Sequence, residues 1–225
     1  MMRRQSARLR RWLRPAFLGT LRRTRPLSDH WGFDRGTPID RYYIERFLDR
    51  HRADIHGRVL EVKDSGYSRR FGNGVDVYDV VDIDAGNLDA TIIADLAAAD
   101  GMPSNSYDCF ILTQVLQHVF DTRAVIAHAH RILKPGGVLL VTVPSVSRLD
   151  AHNPEYWRFT TLSCRALFGA AFGLDRVEVT SHGNVLTAIG FLAGMAHEEL
   201  TRRELALDDE RYPLLITVRA AKADR

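Results

Sequence analysis

The sequence is poor in cysteine, in long apolar runs and, at its start, in acid. Its two cysteines, Cys109 and Cys164, fall in segments that read as buried strand and helix. A disulfide framework is thereby excluded, and both are expected as free thiols in a reducing cytoplasm. The stretch "VLTAIGFLAG" is about half the length of a membrane span, and no apolar signal-peptide core with a cleavage site is seen. No Cys/His cluster has metal-ligand spacing, so no metal is expected. No internal repeat and no Gly/Ser/Pro-rich linker divides the 225 residues, of which 45% are hydrophobic. That is enough for one large core, and one domain is the default.

Acid is missing altogether from residues 1–28, which hold nine arginines, at positions 3, 4, 8, 10, 11, 14, 22, 23 and 25. Of the 31 Lys and Arg, this leaves 22 in the remainder against 28 Asp and Glu, so the body is acidic although the whole chain is +3. The chain therefore divides into a basic arm, 1–28, and a domain, 29–225. Such an arm reads in two ways: as a solvated terminus, or as a tail that touches polyanions or a membrane surface. Leu9, Trp12, Leu13, Phe17 and Leu21 recur at helical spacing, which fits an interfacial helix. An Arg-rich, acid-poor start also fits a transit peptide, although nothing else in the sequence supports an organelle.

What is present is an alternation of short apolar strands and helices. "TPIDRYYIERFLDRHRADI" predicts a helix with Thr37 as N-cap and Pro38 at its first position, with an apolar face of Ile39, Tyr42, Tyr43, Phe47 and Leu48, ended by His56-Gly57. Strand-like runs follow: "RVLEV", "VDVYDVVDI", "ATIIADL", "YDCFILT" and "GVLLVTV". A helix, "TRAVIAHAHRILK", is stopped by Pro135-Gly136-Gly137. This order predicts an α/β fold with a mostly parallel sheet and helices on both faces. The last third predicts a helix, a strand, one or two further helices, and a closing strand "YPLLITVRAA" whose direction the sequence leaves open.

In open α/β sheets ligands bind beyond the carboxyl ends of the strands. Those ends carry Glu61, Asp82 (or Asp84), Asp95 and Thr113-Gln114. Asp82 lies 21 positions after Glu61, close to the roughly 20 that places a carboxylate on a ribose. A glycine-rich turn is missing. In "EVKDSGYSRRFG" no glycine appears until Gly66, and Lys63, Asp64 and Ser65 fill the turn after the first strand. No GxGxxG follows that strand, which disfavours an NAD-dependent oxidoreductase.

The order "VLEV…VDID…ADL…MP…SYDCFILTQVLQHV…RILKPGGVLLVTVP", over about residues 57–144, resembles a class I S-adenosylmethionine-dependent methyltransferase. The resemblance implies a Rossmann-like seven-stranded sheet and S-adenosylmethionine as cofactor. It implies Asp82 with Ile83 at the ribose, Asp95 with Leu96 beside the adenine, and Gln114 facing the methionine part and the acceptor. Glu61 would open the cofactor loop. The departure is the turn itself: Lys63, Ser65 and Tyr67 stand where the family carries glycines, so Asp64, Ser65 and Gly66 are candidates for replacing the usual contacts. The segment "WGFDRGTPIDRYYIERFL" and the later "YWRFT" look like a subset of these enzymes found with glycan and natural-product assembly. There Arg41 or Tyr42 would reach the cofactor's carboxylate, Arg41 through a bidentate fork, or else Arg41 is a surface charge on an amphipathic helix.

An alcohol acceptor benefits from a base near neutral pKa, and His118 and His152 are the candidates. His128 and His130, two apart on a helix, share no face and read as surface. Tyr156, Trp157 and Arg158 would form an aromatic and cationic wall for a small-molecule or glycan acceptor, or else pack under the sheet edge. The function expected is O-methylation of a hydroxyl on a glycan or secondary metabolite. The rival is a catalytically inactive binding protein on the same fold. A nucleic-acid methyltransferase is disfavoured by the acidic body and by the lack of an "NPPY"- or "DPPY"-type tetrapeptide after "YDCFILTQ", so no nucleic-acid partner is expected; a peripheral membrane contact would run through the arm.

Overall fold

The computed structural model describes Gly19 and residues 22–151 and 153–224. Seven strands form one sheet in the order β3-β2-β1-β4-β5-β7-β6: β1 (Gly57–Val62), β2 (Val75–Asp82), β3 (Ile92–Ile93), β4 (Tyr107–Thr113), β5 (Leu133–Pro144), β6 (Val177–His182) and β7 (Leu215–Ala221). The first five pair in parallel. The closing strand, β7, enters antiparallel between β5 and β6, with Val141 opposite Val218 and Val179 opposite the same residue on the other side.

The strands alternate, as a period of two requires. On β4, Phe110 and Leu112 join a core layer with Leu60, Ile126, Phe168 and Val218. Cys109 and Ile111 point the other way, into a layer with Ile44, Leu48, Leu140 and Phe191. Cys109 and Cys164 thus belong to opposite layers, and both are free and buried. Burial pushes both thiols well up, Cys164 to about 12.

Four boundaries differ from the sequence expectation. Helix α1 (Ile39–Arg50) starts after Pro38 and has no side-chain cap; the Thr37 amide instead donates to the Glu198 carboxylate at 3.0 Å. Ile44 rather than Tyr42 completes its buried face. The helix ends at Arg50 because residues 52–54 tighten into a 3₁₀ turn that brings Asp54 onto Arg219 of β7 at 2.8 Å. Strand β3 keeps only two residues of "ATIIADL". After α2 (Gly66–Phe71), helix α3 (Thr122–Ile132), capped by Asp121, stops before "LKPGG", which already belongs to β5. On α3, His130 packs edge-on against Phe172 at 4.8 Å, so it is half-buried rather than a plain surface residue. The remaining α-helices among the described residues are α4 (Thr161–Phe172), α5 (Val185–Ala193) and α6 (Arg202–Ala206). The apolar arm positions Leu9, Trp12, Leu13, Phe17 and Leu21 lie outside the described residues.

Candidate active site

A cleft of about 620 Å³ opens at the carboxyl ends of β1, β2, β4 and β5, with α1 on its flank. Its walls carry Glu61, Lys63, Asp64 and Tyr67 from the first turn, Asp82 and Ile83 from the second, and Gln114, Gln117 and His118 from the fourth. Arg41 comes down from α1. Volumes of about 300–1,000 Å³ are usual for small-molecule and cofactor sites.

The glycine-poor turn is held by its own side chains. Glu61, almost fully buried, accepts from the backbone amides of Tyr67 at 3.0 Å and Ser68 at 2.8 Å. Burial raises its pKa, and the amide donors offset this only in part. At Lys63 φ is +75°, the left-handed region that glycine adopts most readily. The turn therefore keeps a glycine conformation at its first position without the glycine. Asp64 accepts from the Gly66 amide at 2.7 Å. Tyr67 turns its hydroxyl to the Arg41 guanidinium, which also lies over the tyrosine ring. Burial works against the Arg41 charge, but Asp40, Tyr67 and Asp64 outweigh it and hold its pKa above the ordinary value.

Asp82 ends β2 half-buried. Burial raises its pKa, while hydrogen bonds from the Asp84 amide and Asn87, with the charge of Lys63, bring the net value below the usual range. At the end of β4, Gln114 again has a positive φ, +55°. Two buried polar atoms in this corner, Gln114 Nε2 and Gln117 Oε1, have no hydrogen-bond partner among the described residues. The next turn presents His118, whose Nδ1 lies 3.0 Å from the Pro154 carbonyl oxygen. A carbonyl can only accept, so Nδ1 carries the proton and Nε2 is left as the basic nitrogen.

Of the residues singled out in the sequence, Glu61, Asp64, Asp82, Ile83, Gln114, Arg41 and His118 are thus brought to one cleft. Ser65 and Gly66 stand behind it: Ser65 accepts from Arg69 Nε at 2.9 Å, and Gly66 begins α2. Asp95 accepts from the Ala97 amide and caps a short turn, while Leu96 is buried in the core. Tyr156 and Trp157 lie outside the cleft walls and form an exposed cluster with Phe120, at ring distances of 5.5 and 6.0 Å. Trp157 Nε1 donates to the Val119 and Phe120 carbonyls at 3.1 and 3.2 Å. Arg158 pairs with Glu155 and donates to the Arg148 carbonyl at 3.1 Å. His152 lies outside the described residues. Sequence reasoning missed Asn87, Gln117, Asp150 and Glu155; none has a motif of its own, and only the folded loops bring them to the site.

A seven-stranded sheet with this strand order and acids at the ends of β1 and β2 defines a Rossmann-like nucleotide-cofactor protein of the methyltransferase type. The methyltransferase domain family matches residues 27–171, well over half of the chain, and the chain belongs to that family. Its cofactor is S-adenosylmethionine. Among solved structures, an S-adenosylmethionine-dependent methyltransferase from Mesorhizobium loti is similar at 17% identity and TM-score 0.54, covering 82% of this chain and 100% of that one. One from Archaeoglobus fulgidus is similar at 14% identity and TM-score 0.53, covering 81% and 94%. The [4+2]-cyclase SpnF shares the fold at 16% identity and TM-score 0.50, covering 80% of each chain. No curated protein matches the sequence.

Proposed function

We propose that the chain transfers the methyl group of S-adenosylmethionine to a hydroxyl of a small-molecule acceptor, a glycan or a secondary metabolite. The observation that carries this reading is the single cleft that holds both the Asp82 end of β2 and a histidine with a fixed tautomer. The cleft's own donor set supports the fit of the cofactor. Asp82 presents a carboxylate for vicinal ribose hydroxyls, with Ile83 beside the base. Arg41 and Lys63 supply cations for the amino-acid carboxylate, and Asp64 an acid for its ammonium group. Gln114 Nε2, buried and unpartnered among the described residues, is a donor that a ligand oxygen would satisfy. Glu61 acts behind them by holding the turn, and Ser65 and Gly66 shape its exit into α2. Asp95 and Leu96 set the loop at the adenine side.

The cofactor, when bound, supplies a methyl group on an already activated sulfonium. What remains for this chain is to align the acceptor oxygen and to take its proton, and alignment supplies most of the rate. His118 Nε2 is the proton acceptor in this reading, with Pro154 holding the ring. The Phe120, Tyr156 and Trp157 cluster follows directly on the His118 turn, since the Tyr156 amide donates to the Gln117 carbonyl at 2.7 Å. It offers an acceptor ring an aromatic platform at the rim, braced by Arg158.

A second reading, a non-catalytic cofactor-binding protein, draws on Lys63 and Tyr67 at glycine positions. Calorimetry with S-adenosylhomocysteine and a methyl-transfer screen over hydroxylated acceptors separate the two. Binding to wild type, transfer to a hydroxyl acceptor, and loss of transfer in His118→Ala at unchanged S-adenosylhomocysteine Kd are expected. Binding without transfer to any acceptor favours the second reading, and no heat at millimolar ligand overturns both.

A further inference from the structure

Helix α5 is uncharged, and it turns its aliphatic side chains outward. Val185, Leu186, Ile189 and Leu192 are 50%, 36%, 44% and 48% exposed. At 100° per residue these four positions span an arc of about 120° on one side of the helix. The opposite side is buried through Thr187, Gly190 and Phe191, and Phe191 also lines the cleft. From Asn184 to Ala196 the sequence carries no charge at all. A surface helix facing only water would place polar residues on this outer side, so the face is built to be covered.

The charges at its carboxyl end say what covers it. The Leu27 amide donates to the Ala193 carbonyl at 2.7 Å, which seats the basic segment at the carboxyl end of α5. Arg22, Arg23 and Arg25 are exposed there. The acids next after the helix are engaged, Glu199 with Arg35 and Glu198 with the Thr37 amide, and Asp208, whose carboxylate accepts from the Gly183 amide at 2.7 Å, lies at the opposite, amino end of the helix. An aliphatic helix face with exposed arginines two to five residues along the chain from the contact at its carboxyl end matches the interface of an anionic bilayer, where aliphatic groups enter the acyl boundary and cations meet phosphates. Nucleic acid would use the arginines but leave the aliphatic face uncovered.

We infer that the outer face of α5, together with Arg22, Arg23 and Arg25, is a docking surface for anionic lipid membranes. It is distinct from the cleft and does not depend on what the cleft methylates. The test is co-sedimentation of the full chain with vesicles of phosphatidylglycerol and phosphatidylcholine, against vesicles of phosphatidylcholine alone. Wild type is expected to sediment with the anionic vesicles and not with the neutral ones. The double variant Ile189→Asp/Leu192→Asp and the triple variant Arg22→Glu/Arg23→Glu/Arg25→Glu are each expected to bind at least about tenfold more weakly. Both should keep the wild-type thermal transition and S-adenosylhomocysteine affinity, since all five side chains are exposed; if the double variant fails to fold, Leu192→Ser replaces it.

Absence of wild-type binding overturns the inference. So does wild-type-like binding by the folded α5 variant, which would leave the arm acting alone. Loss of vesicle binding to competing duplex DNA at equal charge, with α5 variants unaffected, would assign the arginines to nucleic acid. A dimer by light scattering that Ile189→Asp/Leu192→Asp dissociates, without vesicle binding, would assign the face to a second copy of the chain.

Discussion

The side-chain amide of Asn87 donates to the Asp82 carboxylate at 2.7 Å, and the same nitrogen lies 2.7 Å from the Lys63 carbonyl oxygen. One side chain therefore ties the acid at the end of β2 to the glycine-poor turn after β1. Without it, the Lys63 carbonyl and the acid would each need another donor. Asn87 is a positioning residue in this reading.

Asn87→Ala should weaken S-adenosylhomocysteine binding by about tenfold, the scale of one lost hydrogen bond to a charged group, while the protein stays folded. Asp82→Ala removes the ligand-facing acid itself and should cost about ten- to a hundred-fold. Calorimetry on both variants decides the matter. An unchanged Kd in Asn87→Ala would show that the turn holds its shape without the bridge.

At Lys63 the backbone carries left-handed strain that glycine would relieve. A side chain in that region costs about 1–2 kcal/mol, and glycine returns about 0.5–1 kcal/mol of that as chain entropy. Lys63→Gly should therefore gain up to about 1 kcal/mol, or about 2–4 °C in Tm for a chain of this size. Lys63→Ala keeps the Cβ and should show no gain. A lower Tm for Lys63→Gly would mean that the lysine side chain stabilises the turn by more than its backbone strain costs.

The Asp54 carboxylate, held by Arg219 at 2.8 Å through both oxygens, ties the turn after α1 to β7. Burial raises its pKa, but hydrogen bonds from Arg219 and His51, and their charges, pull it well below the usual carboxylate range. A depressed folded-state pKa stabilises the native state above the unfolded value of about 3.9, and that stability is lost as pH falls from there through the folded value. Asp54→Asn should thus lose about 1.5–3 kcal/mol in urea melts at pH 7. The gap from wild type should narrow progressively below about pH 4. A gap that stays constant down to about pH 3 would show that the charge of Asp54 is not what matters.

Local patterns were sufficient for most of the fold. The alternation on β4 and the acids closing β1 and β2 are visible in the sequence because side-chain period and turn chemistry act over a few residues, whereas Pro135-Gly136-Gly137, which reads as a turn between helix and strand, is already part of β5. They identified the α/β class, the family resemblance and the ends of strands where the cleft lies. They could not orient β7, because a strand's direction depends on which edges are still unpaired when it arrives, and that is settled by partners far away in the chain. Nor could they show that Glu61 turns back onto the amides of Tyr67 and Ser68, that Leu96 goes into the core, or that Tyr156 and Trp157 gather with Phe120 outside the cleft. The type of a residue says what it can bond to. Which partner it meets is decided only when the sheet stacks its strand ends side by side, and so the acids were readable from sequence while Asn87, the residue that joins two of their loops, was not.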